Sequence, residues 1–336
     1  MKAIQFHLDN SQPGSAREVD LARPTPTGHD ILVEIEAIGL NPVDTKVRPK
    51  DSEDPKTLGY DAAGIVAGTG DQITLFSEGD LVYYAGDITR PGSNAQFQLV
   101  DERIVAKRPT TLNATESAAL PLTALTAWES LFHRLDIDFD APADNAGKSL
   151  LIIGGAGGVG SIAIQLAKLA GLTVIATASR PESSDWCRQL GADHIINHHE
   201  KMPAQLRKLG LDTVDYIANF NNVDQVWADM GEMIAPQGSI VLITGHQSHL
   251  DMGGPLKTKS VRICWEFMFT RSMFTTADII EQHHILRRVA GLIDQGKLTA
   301  TANDNLSPIN AENILEGHRR IESGKTIGKL TITGWE

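Results

Sequence analysis

Between residues 148 and 264 the hydrophobic positions fall into six short runs, SLLIIG, LTVIATA, ADHIIN, TVDYIANF, GSIVLIT and SVRIC, separated by stretches of helical pattern. Runs this short and this rich in Val and Ile read as strands buried on both faces. Their alternation with helices predicts a doubly wound α/β fold with a six-stranded parallel sheet. Between the first two runs, Val159, Ile162, Ala163, Leu166 and Ala170 stand at i, i+3, i+4, i+7 and i+11, one face of a helix, and Gly171 sits where a C-cap belongs.

Residues 1–120 carry a different pattern. ILVEIEAIGL, DAAGIVAG, DLVYYAG and AQFQLVDERIV are β-rich and broken by Gly, Pro and Asp, which predicts a mostly antiparallel β domain. After Trp265, TADIIEQHHILRRVAGLIDQG predicts a helix, and NILEGHRRIESGKTIGKLTIT a second helix, a glycine turn and a strand that returns to the first domain. The expected division is 1–122, 123–266 and 267–336, with the middle segment inserted in the β-rich one.

The first α/β run ends in a glycine cluster. Gly155, Gly157 and Gly160 spell GxGxxG between strand and helix, with Gly158 and Val159 inside the turn. Each glycine has a mechanical reason: a tight turn, backbone approach to a pyrophosphate, and close packing of helix on strand, with the anion at the positive helix N-terminus. The motif alone is weak evidence, but the strand before it, the helix after it and five further strands make it a dinucleotide site. The end of the second run bears on which dinucleotide. ATASRPE puts Ala178 where a carboxylate would bond the ribose 2′-hydroxyl of NAD, followed by Ser179 and Arg180. A hydroxyl and a guanidinium can hold a 2′-phosphate, which favours NADP (NADPH) over NAD; the plainer reading of Arg180 is a solvated surface charge.

Composition narrows the setting. With 41% hydrophobic residues and no apolar run near the ~18 of a membrane span, the chain reads as globular. Its start, MKAIQFHLDN, lacks the basic and apolar regions of a signal peptide, so a cytoplasmic location is expected. A net charge of −12 with no basic block argues against a nucleic-acid partner. Cys187 and Cys264 are too few for a disulfide framework or a four-cysteine zinc lobe. The adjacent pairs His198/His199 and His283/His284 make no ready chelate, because neighbours on a helix point about 100° apart.

NPVD (41–44), LGYDAAGIV (58–66), AALPLTALTAWESLF (118–132), GGAGGVGSIAIQLAK (154–168) and SGKTIGKL (323–330), in this order, resemble the medium-chain dehydrogenase/reductase superfamily. Within it they are similar especially to the quinone oxidoreductase branch and to bacterial proteins described as zinc-type alcohol dehydrogenase-like. The resemblance covers essentially the whole chain. It implies a GroES-like catalytic domain, an inserted Rossmann domain and an active site in the cleft between them. It also implies that zinc alcohol dehydrogenases carry a cysteine ligand at the position of Asn41, a histidine at that of Tyr60 and a cysteine at about Leu122. None of these three residues does the same work, and 81–95, the place of a cysteine-rich structural lobe, has no cysteine. No metal is expected, short of an unforeseen site around Asp61.

Without a Lewis acid, alcohol oxidation lacks the electrophile that steadies an alkoxide. A quinone or α,β-unsaturated carbonyl accepts hydride at carbon and spreads charge onto oxygen, where a hydrogen-bond donor can assist. The expected activity is NADPH-dependent reduction of such an acceptor; the alternatives are a zinc-dependent alcohol dehydrogenase and an NADPH-binding protein with little turnover. Asn41, Asp44 and Tyr60 are the candidate pocket residues, Tyr60 as donor, against plainer readings in which Asn41 precedes a proline turn and Asp44 caps a helix. The resemblance places Thr126 beside the nicotinamide and His198 near the adenosine phosphate. Lys329 is a candidate pyrophosphate contact or a strand-surface lysine, and Lys46 stands where a tyrosine is often found. The run KSVRICWEFMF (259–269) reads as an apolar sheet edge, the strand through which the superfamily commonly dimerises, so a homodimer is expected.

Overall fold

The computed structural model describes residues 1–7, 15–49 and 54–335. The chain forms two compact units, Met1–Leu125 with Phe269–Glu336, and Thr126–Met268, so the middle of the sequence is an insertion in the outer unit.

In the outer unit the β-rich N-terminal segment becomes β1 (Lys2–His7), β2 (Ser15–Asp20), β3 (Asp30–Gly39), β4 (Lys56–Thr57), β5 (Ala62–Thr69), β6 (Leu81–Tyr84), β7 (Phe97–Asp101) and β8 (Val105–Lys107). β1 lies between β2 and β4 in a small antiparallel sheet, while β3 pairs antiparallel with both β5 and β7 in a larger one. Burial along β3 is nearly continuous, broken at Glu34 and Glu36, because both of its faces are covered. Ile31, Val33 and Ile38 from this strand pack with Ile4, Phe6, Leu58 and Tyr84 in the unit's core.

The inserted unit contains the six runs as β9 (Ser149–Ile153), β10 (Thr173–Thr177), β11 (His194–Ile196), β12 (Val214–Asn219), β13 (Ile234–Leu242) and β14 (Arg262–Trp265). Among the described residues they form one parallel sheet in the order β11-β10-β9-β12-β13-β14. β9 is buried along its whole length, which is why its hydrophobic run is unbroken. The direction of winding reverses between β9 and β12. Their carboxyl ends, Ile153 and Asn219, therefore flank the crevice where sheets of this kind bind ligands. β14 is the edge strand, and Trp265 at its end is 50% exposed.

The tail returns to the outer unit as β15 (Ala302–Leu306) and β16 (Lys329–Thr333). β16 pairs antiparallel with β3, Thr331 against Gly39, and parallel with β15. The helix expected from residue 277 begins at Glu281 instead, because Arg271 and Thr276 bond the Asp278 carboxylate and hold the preceding residues in a turn. No helix among the described residues is long and apolar enough to cross a membrane.

One buried side chain makes this unit sensitive to acid. His318, on the helix Ala311–Glu322, is fully buried and stacked on Phe6 with ring centroids 5.2 Å apart. Neither ring nitrogen has a hydrogen-bond partner among the described residues. Burial, with Arg48 nearby, pushes its pKa down to about 4. An unfolded chain protonates its histidines near pH 6.5, so the unfolded state binds the extra proton between that pH and about 4. The stability tied to a neutral His318 is thus complete above pH 6.5 and is lost progressively as pH falls toward 4. From pH 7.5 to 5 the loss is expected to be roughly 2 kcal/mol. Urea melts of His318→Phe, which keeps the stacked ring, should lack this slope. Asp44, whose pKa burial raises, slopes the other way, so the difference between wild type and variant is the quantity to read.

Candidate active site

β3 ends at Gly39, and three residues later Pro42 opens a one-turn helix, Pro42–Lys46, with Asn41 as its N-cap. Proline suits this first position because its missing N–H is one the helix leaves unpaired anyway. Asp44, in the first turn, accepts the Asn41 backbone N–H at 2.6 Å, which fixes the cap. Tyr60 and Asp61 sit just before β5, and Lys329 opens β16 beside β3. Sheet pairing thus delivers three distant segments to one buried point.

At that point Lys329 Nζ donates to Asn41 Oδ1 at 2.6 Å and to Asp61 Oδ2 at 2.7 Å. Asn41 Nδ2 donates to the same Asp61 oxygen at 2.8 Å, and the Leu122 backbone N–H donates to Asp61 Oδ1 at 2.7 Å. Asn41 and Asp61 are each 1% exposed and Lys329 4%. Burial pushes the Asp61 carboxyl up, while Lys329, the Leu122 N–H and the Asn41 amide pull it down. Both carboxylate oxygens already face donors, so a carboxyl proton would point at another proton. Asp61 is therefore the ionised partner of Lys329.

Asp44 is fully buried, and its Oδ1 has no hydrogen-bond partner among the described residues. Burial raises its pKa to about 7, against the lowering effect of the Asn41 N–H and Lys329. It can therefore gain or lose a proton near neutrality, a common property of acid–base groups in active sites. Tyr60 is 3% exposed and packs edge-on against Phe269 at 5.4 Å. Burial first, then the charges of Asp44 and Asp87, push its pKa up, so the phenol keeps its proton. Lys46 is exposed.

In the inserted unit the glycine turn joins β9 to the helix Gly158–Leu169, with Gly157 as N-cap and Gly158 and Val159 as its first residues. A Cβ on Gly160 would lie 2.2 Å from the Gly154 carbonyl oxygen, and one on Gly155 2.8 Å from Ala176 Cβ, so these two glycines are demanded by packing. Gly157 is different: its φ of −73° suits any residue, and a Cβ there would meet nothing described closer than 3.6 Å. The fold leaves this position open, so the chain's own packing does not require its glycine. A helix N-terminus with this opening could take a pyrophosphate. Beyond β10, Ala178 is buried and gives its N–H to Ile196, while Ser179 and Arg180 are half-buried, Arg180 capping the helix Pro181–Gln189. His198 follows β11 and lies against His199 with the two rings tilted at 56°; burial and that neighbour lower its pKa. Thr126 is 5% exposed in the helix Pro121–Trp128.

The structure thus joins Asn41, Asp44 and Lys329 with Tyr60 close by, and gathers the glycine turn, Ser179 and Arg180 at the carboxyl ends of β9 and β10. Of the two expectations for Lys329, the strand-surface lysine is corrected: its ammonium is buried and engaged by Asn41 and Asp61. Asp61, foreseen only as a stray metal ligand, is the hub of the cluster. The signal for it was a lone carboxylate inside the otherwise apolar LGYDAAGIV. Among the described residues no group of three or more His, Cys, Asp or Glu side chains is placed to hold a metal ion. Asn41 Oδ1 and Asp61 Oδ2 face an ammonium, and Asp61 Oδ1 faces the Leu122 N–H.

Known proteins fit this architecture. Residues 27–110 match the alcohol dehydrogenase GroES-like domain and residues 158–281 the zinc-binding dehydrogenase family. A zinc-type alcohol dehydrogenase-like protein of Staphylococcus aureus is 45% identical over 92% of both chains. A quinone-oxidoreductase homolog of Spinacia oleracea is 28% identical over 99% of this chain and 98% of its own. A solved structure from Rhizobium etli, assigned as a zinc-dependent alcohol dehydrogenase, is 47% identical with a TM-score of 0.93, covering 100% of this chain and 98% of that one. The chain belongs to the medium-chain dehydrogenase/reductase superfamily of oxidoreductases, built from a GroES-like sheet domain and a Rossmann-like parallel-sheet domain.

Proposed function

We propose that this protein is an NADPH-dependent oxidoreductase that passes hydride to a quinone or α,β-unsaturated carbonyl acceptor without zinc, acting as a cytoplasmic homodimer on a small electrophilic molecule. The observation that carries this reading is the Lys329–Asp61–Asn41 cluster. A zinc ion at Asn41 would have to displace an ammonium held at 2.6 and 2.7 Å, and the donors left to it, an amide and a carboxylate, are not the Cys and His set that zinc prefers. Without that electrophile, an acceptor already poor in electrons is the substrate class the site suits, and the name of the spinach relative agrees.

The cofactor supplies the hydride when bound. Gly155, Gly157, Gly158, Val159 and Gly160 would take its pyrophosphate, Ser179 and Arg180 the 2′-phosphate, His198 the adenosine end and Thr126 the nicotinamide. Tyr60, with its proton retained, would donate to the acceptor oxygen as charge develops there, and Asp44 can hold or release a proton beside it. The test is NADPH oxidation by purified protein with 1,4-benzoquinone and with simple enones, with and without chelator. Turnover indifferent to chelator is expected. Activity lost on chelation and restored by zinc would establish the zinc-dependent reading, and tight NADPH binding with no acceptor consumed would establish a binding protein.

The dimer rests on β14. Its outer edge is unpaired among the described residues, and the exposed Trp265 and Phe267 add apolar area there. A second copy pairing antiparallel on this edge would extend the sheet across a two-fold axis. Arg262→Pro should weaken that pairing by breaking the regular edge. Sedimentation at micromolar concentration should show a dimer for wild type and a monomer for the variant; an unchanged dimer refutes the edge pairing.

A further inference from the structure

We infer that Lys329 is a built-in cation around which the acceptor site is organised, a positioning residue that fixes the Asn41 amide and, through Asp61, the first residues of the helix Pro121–Trp128. The inference rests on the proposed acceptor reading only for its kinetic readout; the geometry stands by itself. Four pieces of chain meet at one carboxylate: the end of β3 through Asn41, the approach to β5 through Asp61, the start of the helix through the Leu122 N–H, and β16 through Lys329. A metal would join such segments through protein donors converging on a cation. Here the cation is covalently part of the chain: Asn41 Oδ1 and Asp61 Oδ2 hold it directly, and the Leu122 N–H joins through Asp61.

The consequences for Asn41 are specific. Its Oδ1 accepts from Lys329 and its Nδ2 donates to Asp61, so the orientation of the amide is set from both ends and cannot be reversed without facing Oδ1 to Asp61 Oδ2 and Nδ2 to the ammonium. Asn41 in turn fixes Asp44 through its backbone N–H. Lys329 therefore acts on the pocket at one remove, by holding Asn41 and Asp44 rather than by touching an acceptor. The charge on Asp61 is the second half of the device: it balances the ammonium, so the pair as a whole leaves the site neutral.

The experiment uses the full-length protein and three variants, Lys329→Met, Asp61→Asn and the double Asp61→Asn/Lys329→Met. Each single change leaves one buried charge unpaired and should lower the melting temperature by several degrees. The double change removes both charges, and replacement of a buried pair by neutral groups is often tolerated, so it should melt close to wild type. If Lys329 positions the site, the double variant should nevertheless reduce 1,4-benzoquinone with kcat about ten- to a hundredfold lower, its dissociation constant for NADPH unchanged. A double variant with wild-type stability and wild-type kcat would show the pair to be structural only and overturn the inference. So would wild-type protein that purifies with one zinc per chain and loses it in Asp61→Asn. If wild type does not oxidise NADPH with any acceptor, the acceptor reading falls by itself. The cation is then judged by the melts and by metal content: single variants as stable as the double, or stoichiometric zinc, refute it.

Discussion

Gly157→Ala is expected to leave the melting temperature almost unchanged and to weaken NADPH binding about tenfold or more, while Gly160→Ala, three residues on, is expected to destabilise the protein by ~1–3 kcal/mol before any ligand is added. The two residues belong to one motif, yet the structure gives their glycines different causes. At Gly160 an added Cβ would sit 2.2 Å from the Gly154 carbonyl oxygen and 2.7 Å from Gly155 Cα, both backbone atoms that move only if the turn moves. At Gly157 the backbone is extended, the nearest described atom is 3.6 Å away, and the slight loss of an N-cap glycine is offset by the lower entropy of an unfolded alanine. The methyl group therefore harms Gly157→Ala only if something occupies the space when the protein works. Thermal melts without ligand and fluorescence titration with NADPH separate the two effects. A Gly157→Ala protein that binds NADPH as wild type does would remove the pyrophosphate from this turn.

The same contrast explains what could be read in advance. β9, β10, β12 and β13 announce themselves because a strand covered on both faces needs apolar residues at consecutive positions, and the helix after β9 because its buried face repeats at 3.6 residues. Asn41, Asp44 and Tyr60 were legible as a cluster through short motifs. Their wiring was not. The bonds from Lys329 to Asn41 and Asp61 span 288 and 268 residues of sequence, and they exist because β16 comes back to pair with β3. No local pattern distinguishes a lysine that opens such a strand facing a buried carboxylate from one that faces water. The burial of His318 is hidden for the same reason. It lies on an amphipathic helix whose apolar face, Ile314, Leu315 and Ile321, is legible, but that the histidine on this face is sealed without a polar partner shows only in its packing against Phe6 of β1. Periodicity reports the environment an element needs, whereas the identity of a partner is settled by topology.

Cofactor choice is the other large expected effect. Arg180→Ala should lower NADPH affinity by ten- to a hundredfold, the loss of one charge-assisted contact worth ~1.5–3 kcal/mol, and leave NADH affinity as it was. The argument starts from β10, whose end brings Ala178 to a buried position held by the Ile196 carbonyl. A carboxylate in that place would favour a 2′-hydroxyl and repel a 2′-phosphate, and alanine does neither. Arg180 then caps the next helix with its backbone, which leaves its position fixed to within a rotamer while the side chain remains half-exposed. Partial exposure makes the contact sensitive to salt, so the difference between wild type and Arg180→Ala should shrink as ionic strength rises past the point where the Debye length falls to ~3 Å. Ala178→Asp tests the same step from the opposite side: it should lose NADPH more than NADH and bring the two affinities together or reverse them. Titrations of both nucleotides with wild type and the two variants give a selectivity ratio that is independent of protein activity. Equal binding of NADH and NADPH by wild type, or a loss in Arg180→Ala shared evenly by both nucleotides, would mean that the 2′-phosphate is not read at this strand end.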